Sequence, residues 1–374
     1  MPSVNKLKKT IILSGGGTGG SVTPLLAVAK ELLSVNDELE LLFVGTDTGP
    51  ERSIVANFRT PKGVSLRFRA IPSGKLRRYF SWRNFSDLFK IITAFFVSCR
   101  LLRQERPGVI VSAGGFVSVP LVWAAYFLNI PVIIHQQDVR PGLANRLMAP
   151  VARLVTVTFE KSLRDYGQKA AWIGNPSPGH NQEVVDAAAT RLRCGFCANK
   201  PLVLITGGAT GSVAINNLVF SAAKSLSSRA QIMHLTGKGK LPDSSKLESL
   251  KLLPDYRLAE FMQNDDLLQL MASADLIVSR CGLATLTELC ALGRPAILIP
   301  MPDSHQEDNA LVFEKAKAAV VLNQKDLSPL KFSEEIFQVI FDSQKKEELA
   351  RNISRVMKKD GADIMASFIL EILK

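Results

Sequence analysis

The chain has 374 residues, of which 46 are Lys or Arg and 34 are Asp or Glu, a formal net charge of +12. That length exceeds one ordinary hydrophobic core and predicts two domains, and the excess of cations points to an anionic partner: nucleic acid, anionic lipid or a phosphorylated substrate. Cysteine is sparse: Cys194 and Cys197 form a lone C-x-x-C with no second pair at zinc spacing, which argues against both a metal finger and a disulfide framework.

In chain order, residues 9–14 (KTIILS) predict a buried strand, residues 15–21 a glycine turn and residues 24–34 a helix with apolar positions at helical spacing. Gly15, Gly17 and Gly20 satisfy G-x-G-x-x-G, in which glycine permits positive φ and bares the N–H groups at a helix start to a phosphate. No Walker lysine follows, which excludes a P-loop. The next strand, residues 39–44, ends in Thr46-Asp47, a poor match to the acidic residue a dinucleotide fold places there. The turn therefore reads as an anion or diphosphate site of open identity.

Further along, SGKLRRYFSWRNFSDLFKIITAFF alternates Lys75, Arg77, Arg78, Arg83 and Lys90 with Phe80, Trp82, Phe85, Leu88 and Phe89. This is either a membrane-surface element or an ordinary amphipathic helix after a basic loop. Residues 117–134 carry no charge, but Pro120, Asn129 and Pro131 break them up. They predict a short buried helix, a turn and a buried parallel strand ending at His135, following a strand at residues 109–112, rather than a membrane span.

The grammar restarts after IGNPSPGH, whose prolines and glycines suit a hinge. PLVLITGGATGSVAINN is again strand, glycine turn and helix, and strands follow at residues 231–235, 256–259, 276–279 and 296–299. Strands alternating with helices imply doubly wound parallel sheets in both halves, whose ligands sit beyond the carboxyl ends of the strands. In ADLIVSRCGLATLTELCALGRPAILIPMPDSHQEDNA a helix begins near Ala284, with Thr285 in its first turn and Glu288 one turn on. Backbone N–H groups and the Thr285 hydroxyl can hold a diphosphate, Glu288 can accept from ribose hydroxyls, and Gln306 can both donate to and accept from a sugar. The plainer alternative is an amphipathic helix with a solvated Glu288.

In this order, GGGTGG-x-x-x-P, SAGGFVSVP, IIHQQDVRPGLANRLMAP, IGNP, the second GG-x-x-G, HLTGKG, RCGLATLTELCALGRPAILIP and HQEDNA resemble the MurG family, within family 28 of the glycosyltransferases. These are the UDP-N-acetylglucosamine transferases that make lipid II from lipid I in bacterial peptidoglycan synthesis. The resemblance implies an α/β fold of two Rossmann-like domains facing across a cleft, the GT-B type. Residues 1–173 would form the acceptor and membrane-binding domain and residues 174–344 the UDP-sugar domain, with a helical segment, 345–374, packing back on the first. In the donor domain Phe261 would cap the uracil and the Met262 backbone would meet its edge. Thr285 would take the diphosphate, Glu288 the ribose, and His305 with Gln306 the GlcNAc, with Gly208, Ala209, Gly282, Ala284 and Asn309 completing the site. The diphosphate of an undecaprenyl-linked acceptor would lie on Gly16, Gly17, Thr18, Gly19 and Gly20, together with Gly114 and Gly115.

The same resemblance gives the basic-aromatic stretch a destination. Lys75, Arg77, Arg78, Phe80, Trp82, Arg83, Phe85 and Phe89 would meet an anionic bilayer, holding the enzyme peripherally on the cytoplasmic face of the inner membrane, with no nucleic-acid partner. No D-x-D triplet holds a divalent ion, so no obligatory cofactor is expected, which leaves room for a loosely associated Mg²⁺.

Five positions depart from the family. Ser21 replaces the histidine after GGTGG, and H-E-Q-N reads His135-Gln136-Gln137-Asp138. Pro178 replaces an arginine, and Ala209 a serine of the second glycine loop. Inverting transfer to an acceptor C4 hydroxyl needs a proton acceptor, and an unactivated Ser21 hydroxyl is too weak a base. Asp138 is the expected base beside Ser21, against the alternative that it merely turns its loop. Because the departures gather on the acceptor side, two other readings stay open: a transferase with another lipid or glycan acceptor, and a turnover-deficient UDP-sugar-binding homologue.

Overall fold

The computed structural model describes residues 10–17, 19–60, 63–74, 83–177 and 185–374, with only the helical backbone for residues 83–88. The chain divides into two compact units, Met1–Gly179 with Lys358–Lys374, and His180–Met357.

The first unit holds a parallel sheet of β1 (Thr10–Ser14), β2 (Glu40–Gly45), β3 (Arg67–Ala70), β4 (Val109–Ser112), β5 (Val132–Gln136), β6 (Leu154–Val157) and β7 (Ala170–Trp172). Their order is β3-β2-β1-β4-β5-β6-β7. The central strands β1, β4 and β5 are buried along their whole length, as expected where helices cover both sheet faces. The strand β3, largely solvent-exposed and rich in arginine, has no apolar run to announce it; it survives because it is an edge. There Arg67 bonds Glu105 at 2.6 Å and Glu40 at 3.4 Å. The helices are α1 (Thr23–Val35), α2 (Glu51–Ala56), α3 (Arg83–Glu105), α4 (Ser118–Phe127) and α5 (Leu143–Met148). The uncharged stretch resolves as expected into α4, a turn with Asn129 at φ +56°, and β5.

The second unit repeats the plan with β8 (Leu202–Thr206), β9 (Gln231–Leu235), β10 (Tyr256–Ala259), β11 (Leu276–Ser279), β12 (Ala296–Leu298) and β13 (Val320–Val321), ordered β10-β9-β8-β11-β12-β13. Its helices are α6 (Ala187–Arg193), α7 (Val213–Ser227), α8 (Ser244–Lys251), α9 (Asn264–Ser273), α10 (Leu283–Leu292), α11 (His305–Lys315), α12 (Pro329–Ile340) and α13 (Ser343–Ile353).

The helical C-terminal stretch is two helices. After α13, α14 (Gly361–Leu373) belongs to the first unit, where Met365, Ile369 and Leu373 recur every fourth residue and bury one stripe in the core with Ile11, Val28 and Leu32. A Cβ on Gly361 would stand 2.8 Å from the Ile173 carbonyl, so only glycine lets the returning chain lie so close. In each sheet the strand order reverses beside the first strand, between β1 and β4 and between β8 and β11, which are the points where such sheets open a crevice.

Two histidines are core residues. His135 shares hydrogen bonds with Thr156 Oγ1 (3.0 Å) and Thr158 Oγ1 (3.2 Å), and His234 with Tyr256 Oη (2.7 Å) and Asn216 Oδ1 (3.1 Å). Burial pulls them from the usual 6.5 to about 4 and about 3. The folded chain therefore binds fewer protons than the unfolded one, and the stability present above pH 6.5 is lost as pH falls through those values. Denaturant midpoints of a His135→Gln, His234→Gln double variant should change less between pH 6.5 and 4 than those of the parent; identical slopes would remove both rings from the acid transition.

Candidate functional site

At the carboxyl edge of the first sheet, two glycine turns meet. Gly17 takes φ +88° after β1, and Gly115 takes φ +94° after β4. A Cβ on Gly115 would stand 2.7 Å from the Gly16 carbonyl oxygen, and one on Gly15 would stand 2.6 Å from that of Ser21. The turns thus pack backbone on backbone, leaving a cavity of about 350 Å³ whose lining includes Gly16, Ser21, Gly114, Gln137, Asp138 and Asn145. Asp138, the base expected from sequence, and Ser21 beside it line this same cavity. Ser21 is buried and its Oγ donates to the Gly16 carbonyl at 3.4 Å, whereas Asp138 is half-exposed. Gln137 ties the loops together, its Nε2 donating to the Gly20 carbonyl at 2.7 Å. Thr18 lies outside the described residues.

The residue that sequence reading passed over is Glu51. Its fully buried carboxylate accepts from Gly17 N (3.3 Å), Thr46 N (2.8 Å) and Thr46 Oγ1 (2.5 Å). It locks the glycine turn to the end of β2 and commits the Gly17 N–H internally; the Gly114 N–H is likewise given to Ser112 Oγ at 3.1 Å. The available signal was T-D-T-G-P-E, an acid at a helix start just past the strand.

The second sheet gathers the predicted donor residues on its own carboxyl edge. Gly208 (φ +82°) and Ala209 follow β8, Phe261 and Met262 follow β10, Gly282, Ala284, Thr285 and Glu288 open α10 after β11, and His305, Gln306 and Asn309 open α11 after β12. Whereas Ser212 and Ser304 cap α7 and α11 with their side chains, α10 starts at Gly282 with no side-chain cap, so its first N–H groups are offered outward. Gln306 Oε1 accepts from Cys281 N and Met301 N, both at 3.2 Å, which fixes its amide and turns the NH₂ away from those loops. Asn309 is fully buried; its Nδ2 donates to the Cys281 carbonyl at 3.4 Å, so its side chain supports the loop. Phe261 is more than half exposed, and Lys238 Nζ lies 5.0 Å from its ring centroid.

Two charges tune this edge. Arg280, nearly buried, donates to four neutral acceptors: the carbonyls of Ile299 (3.1 Å) and Pro300 (2.9 Å), Ser212 Oγ (2.8 Å) and Gln324 Oε1 (2.5 Å). Burial lowers its pKa, and its cation stands at the base of the loops that begin α7 and α10. A lone arginine in LIVSRCGLA was the signal for it. Burial pushes the Glu288 carboxyl up from 4.5 to about 7.

Of the basic-aromatic stretch, Lys75, Arg77, Arg78, Phe80 and Trp82 lie outside the described residues, and Arg83 and Phe85 fall where only backbone is described. On α3 Phe89, Ile92 and Phe96 are exposed, as are Tyr126 and Phe127 on α4; Phe95 packs edge-on to Phe127 at 5.8 Å.

Replacing Glu51 by Ala takes the acceptor from the part-buried Gly17 and Thr46 N–H groups and empties a fully buried position, so it should lower unfolding free energy by about 1–3 kcal/mol in urea titrations. A loss under about 0.5 kcal/mol, the scatter of surface changes, would mean that the carboxylate does not hold the turn.

Residues 11–157 match the glycosyltransferase family 28 N-terminal domain and residues 202–365 the family 28 C-terminal domain. The chain is 38% identical over 351 residues to a UDP-N-acetylglucosamine–N-acetylmuramyl-(pentapeptide) pyrophosphoryl-undecaprenol N-acetylglucosamine transferase of Clostridium kluyveri, covering 92% of each. It is 32% identical over 368 residues to the transferase of the same name from Clostridium tetani, covering 97% of this chain and 98% of that one. Among solved structures it is similar to MurG of Acinetobacter baumannii, with a TM-score of 0.75 and 24% identity over 97% of this chain and 99% of that one. A UDP-GlcNAc 2-epimerase of Neisseria meningitidis bound to UDP-GlcNAc gives a TM-score of 0.65 at 12% identity, covering 98% and 100%. At those identities the two structures speak for the fold alone.

Proposed function

The chain belongs to the family 28 glycosyltransferases, and from that premise we propose that it moves GlcNAc from UDP-GlcNAc to the C4 hydroxyl of MurNAc-(pentapeptide)-pyrophosphoryl-undecaprenol, making lipid II from lipid I. The observation that carries this reading is full-length likeness, at 32–38% identity, to transferases named for that reaction.

The uncapped start of α10, with Thr285, receives the donor diphosphate, supported by the buried Arg280 cation and the helix dipole. Glu288 accepts from the ribose, Phe261 and Met262 frame the uracil, and His305 with the free amide hydrogens of Gln306 meets the GlcNAc. On the first unit, the Gly16–Gly20 turn leads into α1, where remaining N–H groups take the lipid diphosphate. The acceptor C4 oxygen attacks the anomeric carbon as its bond to the UDP oxygen breaks. Asp138 takes the hydroxyl proton, Ser21 orients the hydroxyl, and UDP departs with the bonding electrons, held by N–H donors. This chemistry calls on no resident metal, and a loosely associated Mg²⁺ would act on the diphosphate alone. 

No described helix is long and apolar enough to cross a membrane. The exposed Phe89, Ile92 and Phe96, which follow the basic run in sequence, and the exposed Tyr126 and Phe127 on α4 fit peripheral seating on an anionic bilayer at the cytoplasmic face, where lipid I is met. The substitutions at Ser21, Gln136 and Asp138 support one second reading, a different lipid or glycan acceptor for the same donor.

Incubation with labelled UDP-GlcNAc and synthetic lipid I should move label to the lipid, and Asp138→Asn should lower turnover by about 10²–10⁴. Transfer only to another acceptor would favour the second reading, and near-normal turnover in the variant would remove Asp138 from the chemistry.

A further inference from the structure

In the cavity of the first unit, the hydrogen bonds of Gln136 and Asn145 fix the orientation of both amides. Gln136 Nε2 donates to the carbonyls of Asp138 (2.7 Å) and Arg140 (3.3 Å), which can only accept, so the amide nitrogen must face them. Gln136 Oε1 is thereby turned toward Tyr166 Oη (3.0 Å) and Asn145 Nδ2 (2.7 Å), both of which donate to it. Asn145 Nδ2 also donates to the His135 carbonyl at 3.1 Å. Flipping Asn145 would set its oxygen against two acceptors, so Oδ1 is fixed on the opposite side, against Gly114.

That oxygen is buried and has no hydrogen-bond partner among the described residues, in a side chain only 6% exposed that lines the cavity with Ser21, Gly114 and Asp138. A Cβ on Gly114 would come within 3.1 Å of it, so the missing side chain at Gly114 keeps the approach open. Leaving a buried acceptor unmade is costly, and such groups persist where a ligand completes them. An amide oxygen only accepts; a phosphate dianion or diester offers no hydrogen to it and is repelled. The ligand group at this spot must be an O–H or N–H donor, not a phosphate oxygen.

We propose that Asn145 Oδ1 is a specificity contact for the acceptor sugar, accepting a hydrogen bond from its C6 hydroxyl or its N-acetyl N–H. This rests on the transferase reading above. It places the sugar over Gly114 and Asn145 beside Asp138 and confines the lipid diphosphate to the other turn, at Gly16–Gly20.

The test uses three lipid I acceptors with the full chain: the natural one, a 6-deoxy analogue and an analogue whose 2-acetamido group is a 2-acetoxy ester. With the parent chain, one of the analogues should lose about 10- to 100-fold in kcat/KM, the consequence of leaving a buried acceptor unpaired. Asn145→Ala should lose a similar factor with natural lipid I yet treat that analogue and the natural acceptor alike within about twofold, with UDP-GlcNAc affinity unchanged. The analogue series on the parent chain stands even if the variant folds poorly. Full activity of the parent with both analogues, or a variant that still discriminates, overturns the proposal. Absence of transfer from UDP-GlcNAc to natural lipid I by the parent chain would instead overturn the reading on which it rests.

Discussion

Close backbone contact between glycine turns is the constraint on which both halves of this molecule depend. In the first unit Gly115 lies against Gly16, where any side chain would collide with the main chain. In the second unit the same device joins Gly211 (φ +70°) to Gly237 (φ +89°), whose Cβ would stand 2.7 Å from the Gly211 Cα. In the first unit the two loops are those of β1 and β4, where the strand order reverses; in the second they follow the neighbours β8 and β9, and in both cases glycines let the loops close on each other. What remains at the edge is a small concave surface of backbone and short polar side chains.

The two edges differ in charge. The first is backed by a fully buried carboxylate, Glu51, and carries Asp138 in its cavity. The second is underlain by the guanidinium of Arg280, bonded among the described residues only to neutral acceptors, next to the uncapped start of α10. Under the proposed function, a nucleotide diphosphate would be stabilised at the second edge, and a hydroxyl that must give up a proton would be better served at the first. The asymmetry fits a reaction in which one unit holds the leaving group and the other the nucleophile. The four neutral partners of Arg280 keep that cation in place before any ligand arrives, so little reorganisation accompanies binding.

Much of this was legible in the residue order. Apolar runs such as TIILS, VIVS and LVLIT mark strands buried on both faces, and glycine clusters mark the turns that follow them. The residues of RCGLATLTE and HQEDNA arrive on one edge because both segments follow parallel strands of the same sheet. The strand β3 was hidden because an edge strand needs no apolar face, and its four residues, RFRA, carry two charges and no apolar run. Glu51, Asn145 and Arg280 were hidden for a different reason. Glu51 reaches the Gly17 N–H, Arg280 the Ser212 hydroxyl and Asn145 the His135 carbonyl, groups of other segments that no helical or strand spacing encodes. Asn309 shows the converse: a polar residue in a legible motif that is fully buried and supports a loop from behind.

The most direct test of the central claim is Gly115→Ala, which places a methyl where the Gly16 carbonyl stands and demands an unfavourable φ of +94°. Donor titration and transfer to lipid I should be measured on the same preparation. The account predicts UDP-GlcNAc affinity within about twofold of the parent and transfer reduced about 10²-fold, the scale of a small misplacement of a reacting group. Transfer at the parent rate, or donor affinity lost by the same factor, would contradict it.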